Sequence, residues 1–150
     1  MNWHITSEEL IGSYDPANIP PPQYTDADIA SARVIVEQYF ATMDAGDNTA
    51  FAQLWTPGHE TIGIGADVRI TDIDISPDLR GDNRDSYLRS GKGGFNGTVP
   101  GNCIVFLCDF TISAGKSGTG AWNEGRYTEW QVILIRKNAS SPWLIDDNGY

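Results

Sequence analysis

The segment PWLIDDNGY sets Asp146 beside Asp147. Two carboxylates that share a site push their pKa values apart and can divide acid and base work between them. Side chains alternate along an extended strand, so Trp143, Ile145 and Asp147 are expected on one face and Leu144, Asp146 and Asn148 on the other. On that reading the two aspartates form no dyad, and only one of them can face an interior pocket.

The other reactive residue types are scattered. AGKSGTG contains the Gly-Lys-Ser of a phosphate loop, but Phe110 stands where the first glycine belongs and the segment joins two expected strands, so it reads as a hairpin loop. The same residues miss a nucleophile elbow, because Thr119 replaces its second glycine. His59 and Glu60 begin like a zinc-protease helix, yet Gly63 occupies the second histidine position. Cys103 and Cys108 are five residues apart in one expected strand, which points them to opposite faces about 16 Å apart, too far for a disulfide. With isolated His4 and His59 they supply no convergent metal ligands, and no metal or cofactor is assigned. NGT at Asn96 and NAS at Asn138 match the glycan acceptor pattern and are read as polar loop residues.

Aromatic residues are the remaining candidates. Tyr39, Phe40, Trp55, Phe106, Phe110, Trp130 and Trp143 either line an apolar cleft or fill the space between sheet and helices, and filling is the preferred reading because large aromatics dominate ordinary cores. A ligand pocket is expected to draw on Tyr39, Trp55, Asp109, Arg126, Trp130 and Asp146. An enzyme-like arrangement would bring the Asp109 or Asp146 carboxyl within hydrogen-bond reach of Tyr39 or Arg126. No catalytic residue is assigned, because spacing gives neither aspartate an evident partner and the final strands hold no histidine.

The elements that must hold these residues fall into two parts. Residues 1–24 read as an irregular N-terminal arm, with IPPPQY near its end. Residues 25–150 form the domain proper. Thr25 with Asp28 resembles a capping box, and Ile29, Ala32, Val36, Tyr39 or Phe40, and Met43 recur at helical spacing. Gly46 ends that helix, Asp47 caps a short second one carrying Phe51, Leu54 and Trp55, and Pro57 stops it. Beyond Pro57 the period changes to two. A strand is expected around Thr61 to Ile75, where the parity slip between Val68/Ile70 and Ile73/Ile75 calls for a bulge near Thr71 or Asp72. DSYLRS reads as a single helical turn and SGKGGFNG as mobile. NCIVFLCDFTIS, GRYTEWQVILIRKN and PWLIDDNGY then read as three antiparallel neighbours. The resulting class is α+β, with N-terminal helices packed in a curved, bulged antiparallel sheet.

Composition excludes several partners. The chain has 150 residues, 40% of them apolar, enough for one domain with a core. Its net charge of −10 repels nucleic acid and anionic membrane surfaces. No apolar run approaches the roughly 20 residues that span a bilayer, so a soluble segment is expected.

Two helices, an irregular middle and a closing series of long bulged strands resemble the nuclear transport factor 2-like superfamily, the cystatin-like cone. ARVIVEQYFATMDAGDNTAFAQLWT, NCIVFLCDFTIS and WQVILIRKNASSPWLIDDNGY are similar to uncharacterised Gram-positive members of it. The resemblance covers about residues 25 to 150. It implies an extracytoplasmic module attached to a lipoprotein anchor or a membrane metallopeptidase; a cytoplasmic location is the alternative. Enzymatic members, the ketosteroid isomerases and polyketide cyclases, use Asp, His and Tyr side chains projecting into the cone. Without such a set here, the expectation is a non-catalytic module that binds or senses a small molecule or peptide, with an isomerase- or cyclase-like enzyme using a pocket carboxylate as the alternative.

One further expectation comes from alternation that fails. In NCIVFLCDFTIS and QVILIRK both strand faces are apolar, whereas a sheet with one side in water keeps that side polar. A helix can cover one face. A twofold partner is expected on the other, giving a homodimer, with the N-terminal arm as the competing cover.

Overall fold

The computed structural model describes residues 18–59, 68–90, 98–114 and 123–150. Helix α1 spans Asp26–Ala45 and starts as its sequence dictates. The Thr25 hydroxyl accepts from the Asp28 amide at 3.0 Å and the Asp28 carboxylate accepts from the Thr25 amide at 3.1 Å, so two of the first turn's free donors are satisfied reciprocally. Gly46, at φ +69°, closes the helix in the left-handed conformation that a β-carbon disfavours. Asp47 then caps α2, Asn48–Ala52, by accepting from the Ala50 amide at 3.1 Å. The buried residues of α1, Ala32, Val36, Tyr39, Phe40 and Met43, form one stripe at spacings of three, four and seven.

Four strands follow: β1 Val68–Pro77, β2 Cys103–Ala114, β3 Gly125–Ile135 and β4 Leu144–Gly149. They pair antiparallel in the order β1-β2-β3-β4. The class is therefore α+β, with an open four-stranded antiparallel sheet. Each pair of strands carries a register shift. In β1 the shift falls between Thr71 and Asp74, with Asp72 at φ +53°, and it returns Ile75 to the side of Val68 and Ile70, opposite Cys108. The parity slip in the sequence is thus a bulge, placed as expected. Ile73 is left exposed at its crest.

The inner face of the sheet, with Ile104, Phe106, Cys108, Phe110, Val132, Leu134 and Ile145, packs against the stripe of α1 and against Phe51 and Trp55. The outer face carries Cys103, Val105, Ile133 and Ile135, and its cover is supplied within the chain. That cover is helix α3, Asp82–Ser90, which lays Tyr87 and Leu88 on these residues, with Ile19 beside them. DSYLRS is thus the core of a nine-residue helix that starts earlier than the single turn expected, because Asp78 accepts from the Asn83 amide at 3.2 Å and organises its first turn. Helix α3 and Ile19 thus cover Cys103, Val105, Ile133 and Ile135 of the outer face from within the chain. Of the competing cover, the arm, Ile19 packs on these residues; its residues 1–17 lie outside the described residues.

Arg84 fastens this layer. It is 2% exposed, donates from Nη2 to the Pro20 carbonyl at 2.6 Å and pairs with Asp85 at 2.9 Å. Gly81, at φ +85°, lies where a β-carbon would stand 2.7 Å from Pro22 Cγ. The segment SGKGGFNG, apart from Ser90, and the AGKSGTG loop, apart from Ala114, lie outside the described residues. No helix among the described residues is long and apolar enough to cross a membrane.

Two outcomes follow from these contacts. Cys103 and Cys108 are free thiols with no exposed surface, and burial raises both pKa values, that of Cys108 to about 12. A thiol reagent at pH 8 is expected to titrate neither in the native protein and both after denaturation; rapid native reaction would contradict the packing. Asp28 also receives the Arg136 guanidinium at 2.9 Å. Burial opposes its ionisation, but Arg136 and the Thr25 donors outweigh this and hold the carboxyl below its ordinary value. A depressed folded pKa contributes stability above the unfolded pKa of about 4 and loses it as pH falls through the folded value. Denaturant titrations should therefore show Asp28→Asn costing about 1 kcal/mol at pH 7 and progressively less below pH 4.

Candidate functional site

The third register shift decides where the two adjacent aspartates go. Leu134 lies opposite Ile145 and Ile133 opposite Asp147, so Asp146 is the extra residue of a bulge in β4. This overturns the expectation that Asp147 shares the face of Ile145. Asp147 instead sits opposite Ile133 of the outer face, Asn148 turns inward opposite Val132, and Asp146 is directed to Tyr87 of the outer helix. Simple alternation failed at this one residue, and both carboxylates now act on the same phenol.

Asp146 is 2% exposed. It accepts a short hydrogen bond from Tyr87 Oη through Oδ2 and another from Thr56 Oγ1 through Oδ1 at 2.7 Å. Thr56 is brought there by the edge of the sheet. Its amide donates to the Ile145 carbonyl at 2.8 Å, the Ile145 amide donates to the Leu54 carbonyl at 2.7 Å, and Trp55 forms a parallel bridge with Ile145. His59 completes the group, with Nδ1 3.2 Å from Thr56 Oγ1 and its ring centroid 5.1 Å from that of Trp55. Burial, followed by the Asp146 hydrogen bond and the charges of Asp146, Cys103 and Asp147, raises the Tyr87 pKa far above its ordinary value. Tyr87 is therefore a protonated donor locked onto a buried carboxylate.

The six expected pocket residues do not converge. Tyr39 is fully buried, and its oxygen accepts from Asn148 Nδ2 at 2.6 Å and Trp130 Nε1 at 3.3 Å. Trp55 packs against Tyr39 and Phe51, and its indole nitrogen meets no acceptor among the described residues. Trp130 stands edge-on to Phe110 and Tyr127 on the inner side. Asp109 faces outward at the β2/β3 bulge, where it accepts from the Glu129 amide at 2.9 Å. Arg126 is exposed and donates to the Asp72 carbonyl at 2.8 Å and to Thr111 at 3.2 Å. Thus Tyr39, Trp55 and Trp130 belong to the inner aromatic packing, Asp109 and Arg126 to bulges near the open end of the sheet, and Asp146 to the outer layer. The pairings of Asp109 or Asp146 with Tyr39 or Arg126 are not among the described contacts.

Open space lies elsewhere. A cleft of about 240 Å³ opens on the outer side between α3, β3 and the end of β4; Asn83, Ser86 and Tyr87 form one wall, and Gln131, Asp147 and Tyr150 the other. Its polar lining is ordered. Gln131 Nε2 donates to Asn83 Oδ1 at 3.2 Å, and Asn83 Nδ2 donates to Asp78 at 2.9 Å. Sequence reasoning missed this site because α3 was read as one turn. The available signal was DNRDSYLRS, whose Arg84, Tyr87 and Leu88 are spaced to bury one face while Asn83, Ser86 and Ser90 look along the other side.

Removing the Tyr87 hydroxyl leaves a buried carboxylate short of a donor, which costs roughly 1–3 kcal/mol. Tyr87→Phe and Thr56→Val should each lower the denaturation midpoint accordingly. Combining Tyr87→Phe with Asp146→Asn should cost less than the sum of the two, because they disrupt the same bond. A Tyr87→Phe variant as stable as the parent would contradict the arrangement.

No curated protein and no solved structure matches the chain. A family model does match, over residues 33–149, which takes in α1 from Arg33 onward, the whole sheet, α3 and all of the cleft lining except Tyr150. With that match extending over most of its length, the chain belongs to the family described as Domain of unknown function (DUF4829).

Proposed function

We propose that the protein is a non-catalytic module that binds or senses a small ligand, and that its binding site is the outer cleft between α3 and the β3-β4 edge. The observation that carries this reading is the contrast between the two sides of the sheet. The inner side, where a cone-shaped domain would hold a substrate, is occupied by Tyr39, Phe40, Phe51, Trp55 and Phe110, each at most 6% exposed. Its central phenol is engaged by Asn148 and Trp130. The outer side offers an open cleft with hydroxyl, amide and carboxylate groups on rigid elements, the usual make-up of a site that fixes a ligand by a few placed polar groups.

The nuclear transport factor 2-like cone is proposed as the wider fold, supported by the capped helical hairpin ahead of four bulged antiparallel strands. An extracytoplasmic location on a surface-anchored bacterial protein is proposed from the same resemblance. The isomerase-like alternative needs an inner-facing carboxyl, and the packing of Asp146 against Tyr87 and Thr56 weighs against it.

The test is amide chemical-shift mapping with a fragment set of mixed charge, alongside an assay for isomerisation of a Δ5-3-ketosteroid. Fragment binding is expected to move the amides of Ser86, Gln131 and Gly149 and to leave those of Tyr39 and Phe106 in place, with no turnover. Turnover, or shifts confined to the inner face, would refute the proposal.

A further inference from the structure

Helix α3 is held by two unlike ends. Its first turn is pinned to a fixed base: the Asp78 amide donates to the Val105 carbonyl of β2 at 2.9 Å, and the Asn83 amide and side chain both donate to Asp78 Oδ2, at 3.2 and 2.9 Å. Arg84 adds its bond to the Pro20 carbonyl. Between that base and the helix stands Gly81, at φ +85°, a conformation that glycine enters and leaves at little cost. The later turns are held differently. Their buried residues are Tyr87 and Leu88, which lie on Cys103, Val105, Ile133 and Ile135, and the Tyr87 hydroxyl reaches Asp146 on the edge strand.

Nine residues fall short of the roughly 12–15 that sustain a helix in water, so α3 keeps its place through these contacts. A segment with so little buried surface belongs to the class that opens below the free energy of global unfolding. Opening strands no other layer. Asp146 Oδ1 keeps the Thr56 hydroxyl at 2.7 Å while Oδ2 turns to water, and the inner cluster shares none of its buried residues with the outer one. The cleft, by contrast, exists only while α3 is down, because Asn83, Ser86 and Tyr87 form one wall and Gln131, Ile133 and Asp147 belong to the strands. A ligand that touches both walls binds the closed state alone and draws the population toward it.

We infer that α3 is a hinged cover, pivoting at Gly81 and latched by Tyr87 on Asp146, and that occupancy of the cleft holds it down over the apolar outer face. This rests on the proposal that the cleft is the binding site, and deepens it by naming how binding there is converted into a change of surface.

The two buried thiols report on the two layers separately. Cys103 lies beneath α3, near enough for the charges of Arg84 and Asp85 to act on it, whereas Cys108 belongs to the inner cluster. The native protein is kept in excess iodoacetamide at pH 8 long past the end of an ordinary thiol titration. Alkylation of each cysteine is followed by peptide mass spectrometry, relative to its rate in the denatured chain. Cys103 is expected to react at least tenfold faster than Cys108. Denaturant below the unfolding transition should barely change the Cys103 rate and should raise that of Cys108 steeply, since the slope follows the surface exposed. Tyr87→Phe should speed Cys103 at least fivefold. Ile112→Val, a small change in the inner layer, should speed Cys108 and leave Cys103 as it is. Equal rates with the same denaturant dependence would mean that only global unfolding uncovers Cys103, and the inference falls. Fragments of the mixed-charge set that shift the Ser86 and Gln131 amides should slow Cys103 alkylation in proportion to occupancy. A fragment that binds in the cleft and leaves that rate unchanged overturns the inference while the cleft remains a binding site. If no fragment moves the cleft amides, the binding-site proposal falls, and control of α3 by a ligand falls with it.

Discussion

The whole architecture depends on covering the central strands on both sides. From Cys103 to Cys108 and from Val132 to Ile135 there is no polar face to turn toward water. Burying a Val, Leu, Ile or Phe side chain is worth about 1.5–3 kcal/mol, so leaving either face open would forfeit a sum comparable to the stability of a domain. Two layers of cover are therefore required. The inner one is α1 with α2, and the outer one is α3 with Ile19. Each cover then has a functional consequence, because the inner layer fills the sheet's inner side with rings while the outer one, being shorter, stops before the end of β4.

The cleft is what that short cover leaves. Helix α3 has nine residues and reaches only part of the sheet. Arg84 binds its first turn to Pro20, and Tyr87 ties its last turns to Asp146 on the edge strand. Thr56 meets the same carboxyl group from the segment after the helical hairpin, so one buried side chain joins that segment, the sheet edge and the outer helix. A buried carboxylate is tolerated when donors surround it and is costly when one is removed. That asymmetry makes Asp146 a junction, with its neighbour Asp147 left to face the cleft. Neither residue has the inward orientation that chemistry inside a cone would require.

Bulges are the device that sorts these side chains. The one in β1 restores Ile75 to the core and the one between β2 and β3 keeps Phe110 and Tyr127 on the same side as Cys108 and Trp130. The one in β4 sends two consecutive aspartates toward the same layer. A one-residue insertion reverses the parity of everything beyond it. The positive φ of Asp72 and Glu129 marks two of these insertions.

Much was legible from residue order. Thr25, Asp28, Gly46 and Asp47 bound α1 and start α2 through bonds a few residues long, and propensity and capping act at that range. The β1 bulge was readable because two apolar pairs of opposite parity need a common core. The separation of the two cysteines across the sheet followed from alternation alone. The β4 bulge was not legible, since PWLIDDNGY alternates acceptably without it; only the pairing of Leu134 with Ile145 and Ile133 with Asp147 reveals the extra residue. Nor was the length of α3, whose nine residues are mostly polar and owe their helix to Asp78, Arg84 and the sheet beneath them. Caps, periods and face assignments were thus written locally in the chain, whereas the partners of Asp146, the cover of the outer face and the position of the cleft came from contacts between residues tens of positions apart. Such contacts exist only once burial has selected one packing among many that the local pattern allows.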